Sequence, residues 1–138
     1  MRRLFIMRKD LQMSPGKMAA QVGHCAEVYW LHMIQNAQPD ESGNVQFNIP
    51  RDVLDGYIYG AIVKTICEAR NKNHLLKAKT IAEELGLKEG YDFGLIRDNC
   101  LTELTPEDED GRTLTGNWFK PLPDEIAHQI SKKYQLYK

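Results

Sequence analysis

Residues 3–24 read RLFIMRKDLQMSPGKMAAQVGH and change hydrophobic period part-way. RLFIMR is short and rich in β-compatible side chains, which predicts a first strand. DLQM connects it to a helix. Ser14 stands as the N-cap, with Pro15 at the first helical position, where its missing N–H costs nothing. The helix is predicted to run to about Asn36. Met18, Val22, Cys25, Tyr29 and His32 form one row at helical spacing, widened by Ala19, Ala26 and Met33. A strand followed at once by a long helix is the first step of strand–helix–strand alternation. That order favours a parallel or mixed sheet with helices on its faces.

The rest of the chain continues the pattern. Residues 38–52, QPDESGNVQFNIPRD, are polar and turn-rich and read as a loop, with an extended piece at VQFNI and a short helix after Pro50. YGAIVKTICEA, residues 59–69, is the clearest strand: β-branched, apolar and free of proline. NKNHLLKAKTIAEELGL is the clearest helix, with Leu75, Ala78, Ala82 and Leu85 on one face and Gly86 where a C-terminal cap belongs. YDFGLIRD predicts a strand ending at Asp98. NCLTEL turns and begins another extended piece, TPEDEDG is an acidic loop, and RTLTGNWF forms the last strand. Ile126, Ile130, Tyr134 and Tyr137 mark a C-terminal amphipathic helix.

Length and composition set bounds on function. The 138 residues suit one domain spanning 1–138, and 42% hydrophobic content supplies a core. No apolar run approaches the roughly 18–20 residues that span a membrane, and the N-terminal run is broken too early by charge for a secretory signal. A cytoplasmic protein with no membrane partner is expected. Cys25, Cys67 and Cys100 are odd in number and contain no CxxC pair, which argues against a disulfide framework and against a zinc site. Net charge is −1, whereas nucleic-acid binders are more often basic overall. The charge is uneven: residues 1–20 hold five cations (Arg2, Arg3, Arg8, Lys9, Lys17) against Asp10, and residues 103–110 hold five acids. A nucleic-acid function would therefore use a local basic face.

Chemistry-bearing residues gather after two predicted strands. Lys17, Gln21 and His24 fall within one sector of the first helix at about 100° per residue. The start of that helix, at Ser14, has open N–H groups and a positive dipole end suited to a phosphate or a developing oxyanion. Asp98 ends a strand and Thr102 comes four residues on; a carboxylate near a lysine can orient or deprotonate a water. Ligands in open α/β sheets tend to sit beyond the carboxyl ends of strands, and these two groups, each just after a predicted strand, could meet there. SPGKM is not a P-loop, because Met18 stands where Ser or Thr is required. SPGK fits S-x-x-K but lacks the partner motifs of the penicillin-binding enzymes. The acids of PEDEDG read as a solvated loop or a repulsive gate, with no metal-ligand spacing. His32, His74 and His128 read as structural or solvated.

RKDLQMSPGKMAAQVGHCA resembles the N-terminal signature of the type 2 peptidyl-tRNA hydrolases, the archaeal and eukaryotic type, and LIRDNCLTEL resembles that family's second signature. The resemblance implies a single-domain α/β fold with a four-stranded mixed β-sheet flanked by α-helices. It implies hydrolysis of the ester joining a peptide to the 3′ end of tRNA, with water as nucleophile and no metal or organic cofactor. By motif position Lys17, His24, Asp98 and Thr102 would be catalytic. Ser14 and Gln21 would bind substrate, with Thr113 or Thr115 matching a threonine near the last strand. The partner implied is peptidyl-tRNA, and the resemblance makes a homodimer reasonable. The N-terminal basic residues with Lys132 and Lys133 are candidates for tRNA backbone contacts. The family usually has an Ala-Gly pair after the aspartate, where this chain has Asn99 and Cys100. It usually passes from a proline directly to a glycine in the next loop, where EDED intervenes here between Pro106 and Gly111. The alternative reading is a catalytically altered binding module of the same fold, with a protein or nucleic-acid partner.

Overall fold

The computed structural model describes residues 1–138. In chain order the elements are β1 (Arg3–Arg8), α1 (Pro15–Gln35), α2 (Arg51–Val53, continued by a wider π-helical turn over Leu54–Ile58) and β2 (Lys64–Ala69). Next come α3 (Lys72–Glu84), β3 (Phe93–Asp98), β4 (Thr113–Phe119), α4 (Asp124–Ser131) and β5 (Gln135–Leu136). The sheet order is β3-β4-β1-β2-β5. β1 and β2 are parallel, whereas β4 is antiparallel to both β1 and β3. β1, β2 and β3 therefore run the same way, and their carboxyl ends, Arg8, Ala69 and Asp98, share one edge of the sheet.

The sheet is mixed, as expected, but has five strands and not four. The extra strand comes from the end of the predicted C-terminal helix, which stops at Ser131. Tyr134 is not on a helical face: its hydroxyl donates to the His74 carbonyl at 2.6 Å, and its ring stacks on the His74 imidazole at 4.4 Å. That contact draws the chain across α3 to the outer edge of β2, where Cys67 and Glu68 pair with Leu136 and Gln135. Unpaired edge groups of β2 thereby gain ladder partners. Two expected extended pieces, at VQFNI and NCLTEL, form no strand.

Helix ends obey local chemistry. The Ser14 hydroxyl accepts the Lys17 N–H at 3.2 Å, capping α1. Asn71 caps α3 by accepting the His74 N–H at 2.8 Å. Gly86, at φ +83°, closes α3 with its N–H donating to Glu83 and the Leu87 N–H donating to Ala82, both at 3.0 Å. This paired closure uses a left-handed residue, which glycine adopts without a Cβ penalty.

Each face of the sheet has its own core. Leu4, Ile6, Cys67, Leu75, Ala78, Ala82, Phe93, Phe119 and Ile130 join the sheet to α3 and α4. Phe5, Met7, Cys25, Tyr29 and Trp118 join it to α1. Ala19, placed by its spacing on the apolar row of α1, is exposed. Gly116 and Asn117 do not break β4, which is buried along its whole length. A Cβ at Gly116 would lie 2.6 Å from the Met7 sulfur, so the glycine is what lets Met7 cross the strand.

Two N-terminal cations are not surface charges. Arg3 is fully buried and donates to the carbonyls of Phe119, Ala26 and Cys25 at 2.6, 3.1 and 3.0 Å. Its guanidinium lies against the rings of Phe5, Tyr29 and Trp30, and burial lowers its pKa to about 10. Arg8, 3% exposed, ion-pairs with Asp10 and Glu107 at 2.8 and 2.5 Å. Neither can meet a tRNA backbone.

Candidate active site

The helix cap at Ser14 places Lys17 in the first turn of α1, facing the end of β3. Lys17 Nζ lies 2.8 Å from Asp98 Oδ1 and 3.3 Å from Thr102 Oγ1. Gln21, one turn further, is 1% exposed, and its Nε2 donates to the same Asp98 oxygen at 3.2 Å. The Cys100 N–H donates to Asp98 Oδ2 at 2.9 Å. Burial opposes ionisation of Asp98, but the hydrogen bonds from Lys17, Cys100 and Gln21 outweigh it and hold the carboxyl below the usual carboxylate range.

Thr115 completes the chain of contacts. Its hydroxyl lies 2.7 Å from Gln21 Oε1. It reaches α1 because β4 carries a bulge: Ile96 pairs with Gly116 and the next residue, Arg97, pairs with Leu114, so Thr115 is the extra residue. A bulge turns a side chain to a face that strict alternation would deny it. Donation by the Thr115 hydroxyl fixes which end of the Gln21 amide points at Asp98.

Thr113, the other candidate threonine, serves the loop. Its hydroxyl donates to the Thr105 carbonyl at 2.9 Å and accepts the Glu107 N–H at 3.0 Å. Ser14 is likewise engaged within the protein. Its N–H and hydroxyl donate to Glu103 at 2.7 and 2.6 Å, and these bonds lower the Glu103 pKa. Residue composition alone places Glu103 among loop acids; its position one residue after Thr102, in reach of a helix start, is the available signal. The expected open anion site at the start of α1 is thus already faced by a carboxylate of the same chain. Among first-turn amides Pro15 has none, and those of Lys17 and Met18 donate to Ser14.

His24 stands apart. It is exposed and takes no part in these hydrogen bonds. At about 100° per residue it lies roughly 60° from Gln21, on the side away from Cys25 and the sheet.

The acidic run after Pro106 folds back over the same sheet edge. Glu107 pairs with Arg8, Asp108 with Lys72 at 3.3 Å and Asp110 with Arg112 at 2.9 Å. Cys100 is held at φ +59°, a left-handed conformation, at the position where the family resembled usually has glycine.

The family model for "Peptidyl-tRNA hydrolase PTH2" matches residues 1–137. The chain belongs to the PTH2 family of peptidyl-tRNA hydrolases. Its activity is that of the family, hydrolysis of peptidyl-tRNA. It is 29% identical over 135 residues to a peptidyl-tRNA hydrolase of Thermococcus onnurineus, covering 98% of this chain and 96% of that one. It is 30% identical over 132 residues to one of Pyrobaculum aerophilum, covering 96% and 93%. It is also 28% identical to the Bos taurus mitochondrial peptidyl-tRNA hydrolase 2, covering 97% of this chain and 63% of the relative. A solved Agrobacterium protein of unknown function, Atu0240, covers 99% of the chain with TM-score 0.57 and 11% identity, a likeness of fold alone. No helix of this PTH2-family chain is long and apolar enough to cross a membrane.

Proposed function

We propose that Lys17, Asp98 and Thr102 form the centre at which water attacks the ester of peptidyl-tRNA, with Gln21 and Thr115 holding Asp98 in place. The observation that carries this reading is the Lys17–Asp98 pair at 2.8 Å, with Thr102 at 3.3 Å from the same ammonium.

Counting donors and acceptors assigns the roles. A carboxylate has about four acceptor positions, and Asp98 uses three of them on Lys17, Gln21 and Cys100. The remaining one accepts from a water. With its pKa lowered, Asp98 is a weak base and a good orienting group. Lys17 has three donors and uses two; the third faces the substrate carbonyl and stabilises the oxygen as it gains negative charge. Water adds to the carbonyl carbon, the bond to the tRNA 3′-oxygen breaks, and the proton shed by water ends on that oxygen. The Thr102 hydroxyl, both donor and acceptor, is the relay beside Lys17. Exposed His24 contacts substrate at the rim, while Ser14 and Thr113 hold the walls. A cytoplasmic homodimer that binds tRNA belongs to the same reading.

The test is release of N-blocked amino acid from tRNA by wild type, Asp98→Asn and Lys17→Met. A loss of at least about a hundredfold in kcat for both variants is expected. Near-wild-type release by folded Asp98→Asn removes Asp98 from the centre. Absence of release by folded wild type favours the binding-module alternative.

A further inference from the structure

Eighteen Lys and Arg residues are spread over a chain of net charge −1, and several are ion-paired or buried. Four unpaired ones converge elsewhere. Arg70, at the turn between β2 and α3, and Lys77, one turn and a half along α3, stand on one wall of a groove. Lys132 and Lys133, just after α4, stand on the other. The groove has two connected lobes of about 370 and 410 Å³, sharing Arg70, His74, Lys133 and Tyr134. Its only acidic lining residue is Glu68, at one end.

The floor is rigid. His74, 7% exposed, accepts the Arg70 N–H on Nδ1 at 3.0 Å and stacks on Tyr134, whose hydroxyl donates to the His74 carbonyl. These bonds fix α3 against the chain after α4 and so fix the spacing of the two basic walls. Like charges held on opposed walls raise the free energy of the folded state, and an anion between them removes that cost.

The groove and the Lys17–Asp98 centre share one edge of the sheet. β3 and β2 are separated by β4 and β1, so their carboxyl ends lie three strand spacings apart, roughly 14 Å. The centre opens on the α1 face and the groove on the α3 face. The loop between them lays Glu107 and Asp108 on Arg8 and Lys72, which removes those two cations from the path.

We propose that the groove lined by Arg70, Lys77, Lys132 and Lys133 binds the phosphodiester backbone of the tRNA while its 3′ end lies at Asp98. This rests on the reading of Lys17 and Asp98 as the hydrolytic centre. It sets aside Arg3 and Arg8, which are buried, and joins Lys132 and Lys133, already candidates for backbone contact, to Arg70 and Lys77 across one groove. The groove makes no contact with bases in this scheme, so its contribution is independent of tRNA sequence and steeply salt-dependent.

Binding of deacylated tRNA tests the groove directly, by fluorescence anisotropy across a salt series, with wild type, Arg70→Gln, Lys133→Gln and the double variant. The second readout is kcat/KM on an N-blocked aminoacyl-tRNA relative to the same ester on a 3′-terminal CCA trinucleotide. In the double variant Kd is expected to rise about tenfold, and the slope of log K against log salt to fall by between about one and two. The preference for whole tRNA over the trinucleotide shrinks by the same factor. An unchanged Kd and salt slope in a double variant with wild-type Tm overturns the proposal, as does a folded wild type that fails to bind tRNA at low salt. Groove-dependent binding by a wild type that hydrolyses neither ester supports the groove and removes the hydrolytic roles assigned to Lys17 and Asp98.

Discussion

Glu103 accepts both the backbone N–H and the hydroxyl of Ser14, so a single carboxylate ties the loop after β3 to the first turn of α1. Asp98 and Thr102 come from that loop and the strand before it, and Lys17 from that helix. The tie therefore sets the distance between the two halves of the centre. Glu103→Ala is expected to lower kcat by between about tenfold and a hundredfold, because small misplacements of reacting groups are costly. Both partners are exposed, so the Tm should hardly move. Ser14→Ala should add little to Glu103→Ala in a double-mutant cycle; full additivity would show that the contact does not act as one unit.

Thr115→Val keeps the shape of the side chain and removes the hydroxyl that orients Gln21. Gln21 Oε1 then loses its donor while almost wholly buried. The variant should lose about 1–3 kcal/mol of stability in urea denaturation. Activity should fall too, since a freed amide can turn its oxygen toward the Asp98 carboxylate. Thr115→Ser retains the hydroxyl and should recover most of the activity. Equal losses in the two variants would point to packing and not to the hydrogen bond.

The depressed pKa of Asp98 fixes the direction of its pH dependence. A carboxyl with a lower pKa folded than unfolded adds stability that is present above its unfolded value, about 3.9, and lost as pH falls through the folded value. The stability difference between wild type and Asp98→Asn should be constant from about pH 5 upward and shrink only in stronger acid. The acid limb of kcat/KM assigned to Asp98 should lie below the ordinary carboxylate range. A limb near pH 6 that disappears in Asp98→Asn would show a raised pKa and contradict the orienting role.

Cys100 holds φ +59° and bonds Asp98 through its N–H. A left-handed conformation costs a residue with a Cβ about 1–2 kcal/mol, part of which glycine would return through its extra unfolded-state entropy. Cys100→Gly should raise stability by a few tenths to about 1 kcal/mol, read as a Tm increase. Cys100→Val, β-branched, should lower both Tm and activity by straining the turn that presents Asp98.

Local signals carried much of this structure. The Ser14 cap, the Gly86 closure and the rows of α1 and α3 depend on residues within one or two turns of each other, and all were readable in order along the chain. The mixed sheet came out of strand–helix alternation. The start of β5 and the early end of α4 were not readable. They depend on Tyr134 meeting His74, sixty residues away, and on an open edge of β2 that exists only once the sheet has formed.

The candidate centre divides in the same way. Ser14, Lys17, Gln21, Asp98 and Thr102 could be named from spacing and from their places after strands, because a helix or strand end aims its own side chains. The choice of Thr115 over Thr113 for Gln21 could not, since it depends on a one-residue bulge against β3. The burial of Arg3 and Arg8, the tie between Glu103 and Ser14, and the meeting of Lys132 and Lys133 with Arg70 and Lys77 across His74 were equally beyond reach. Periodicity reports which face of an element is apolar. It does not report which distant charge a carboxylate will meet, and in this protein those long-range pairings decided the geometry of the candidate site and which cations stay free around it.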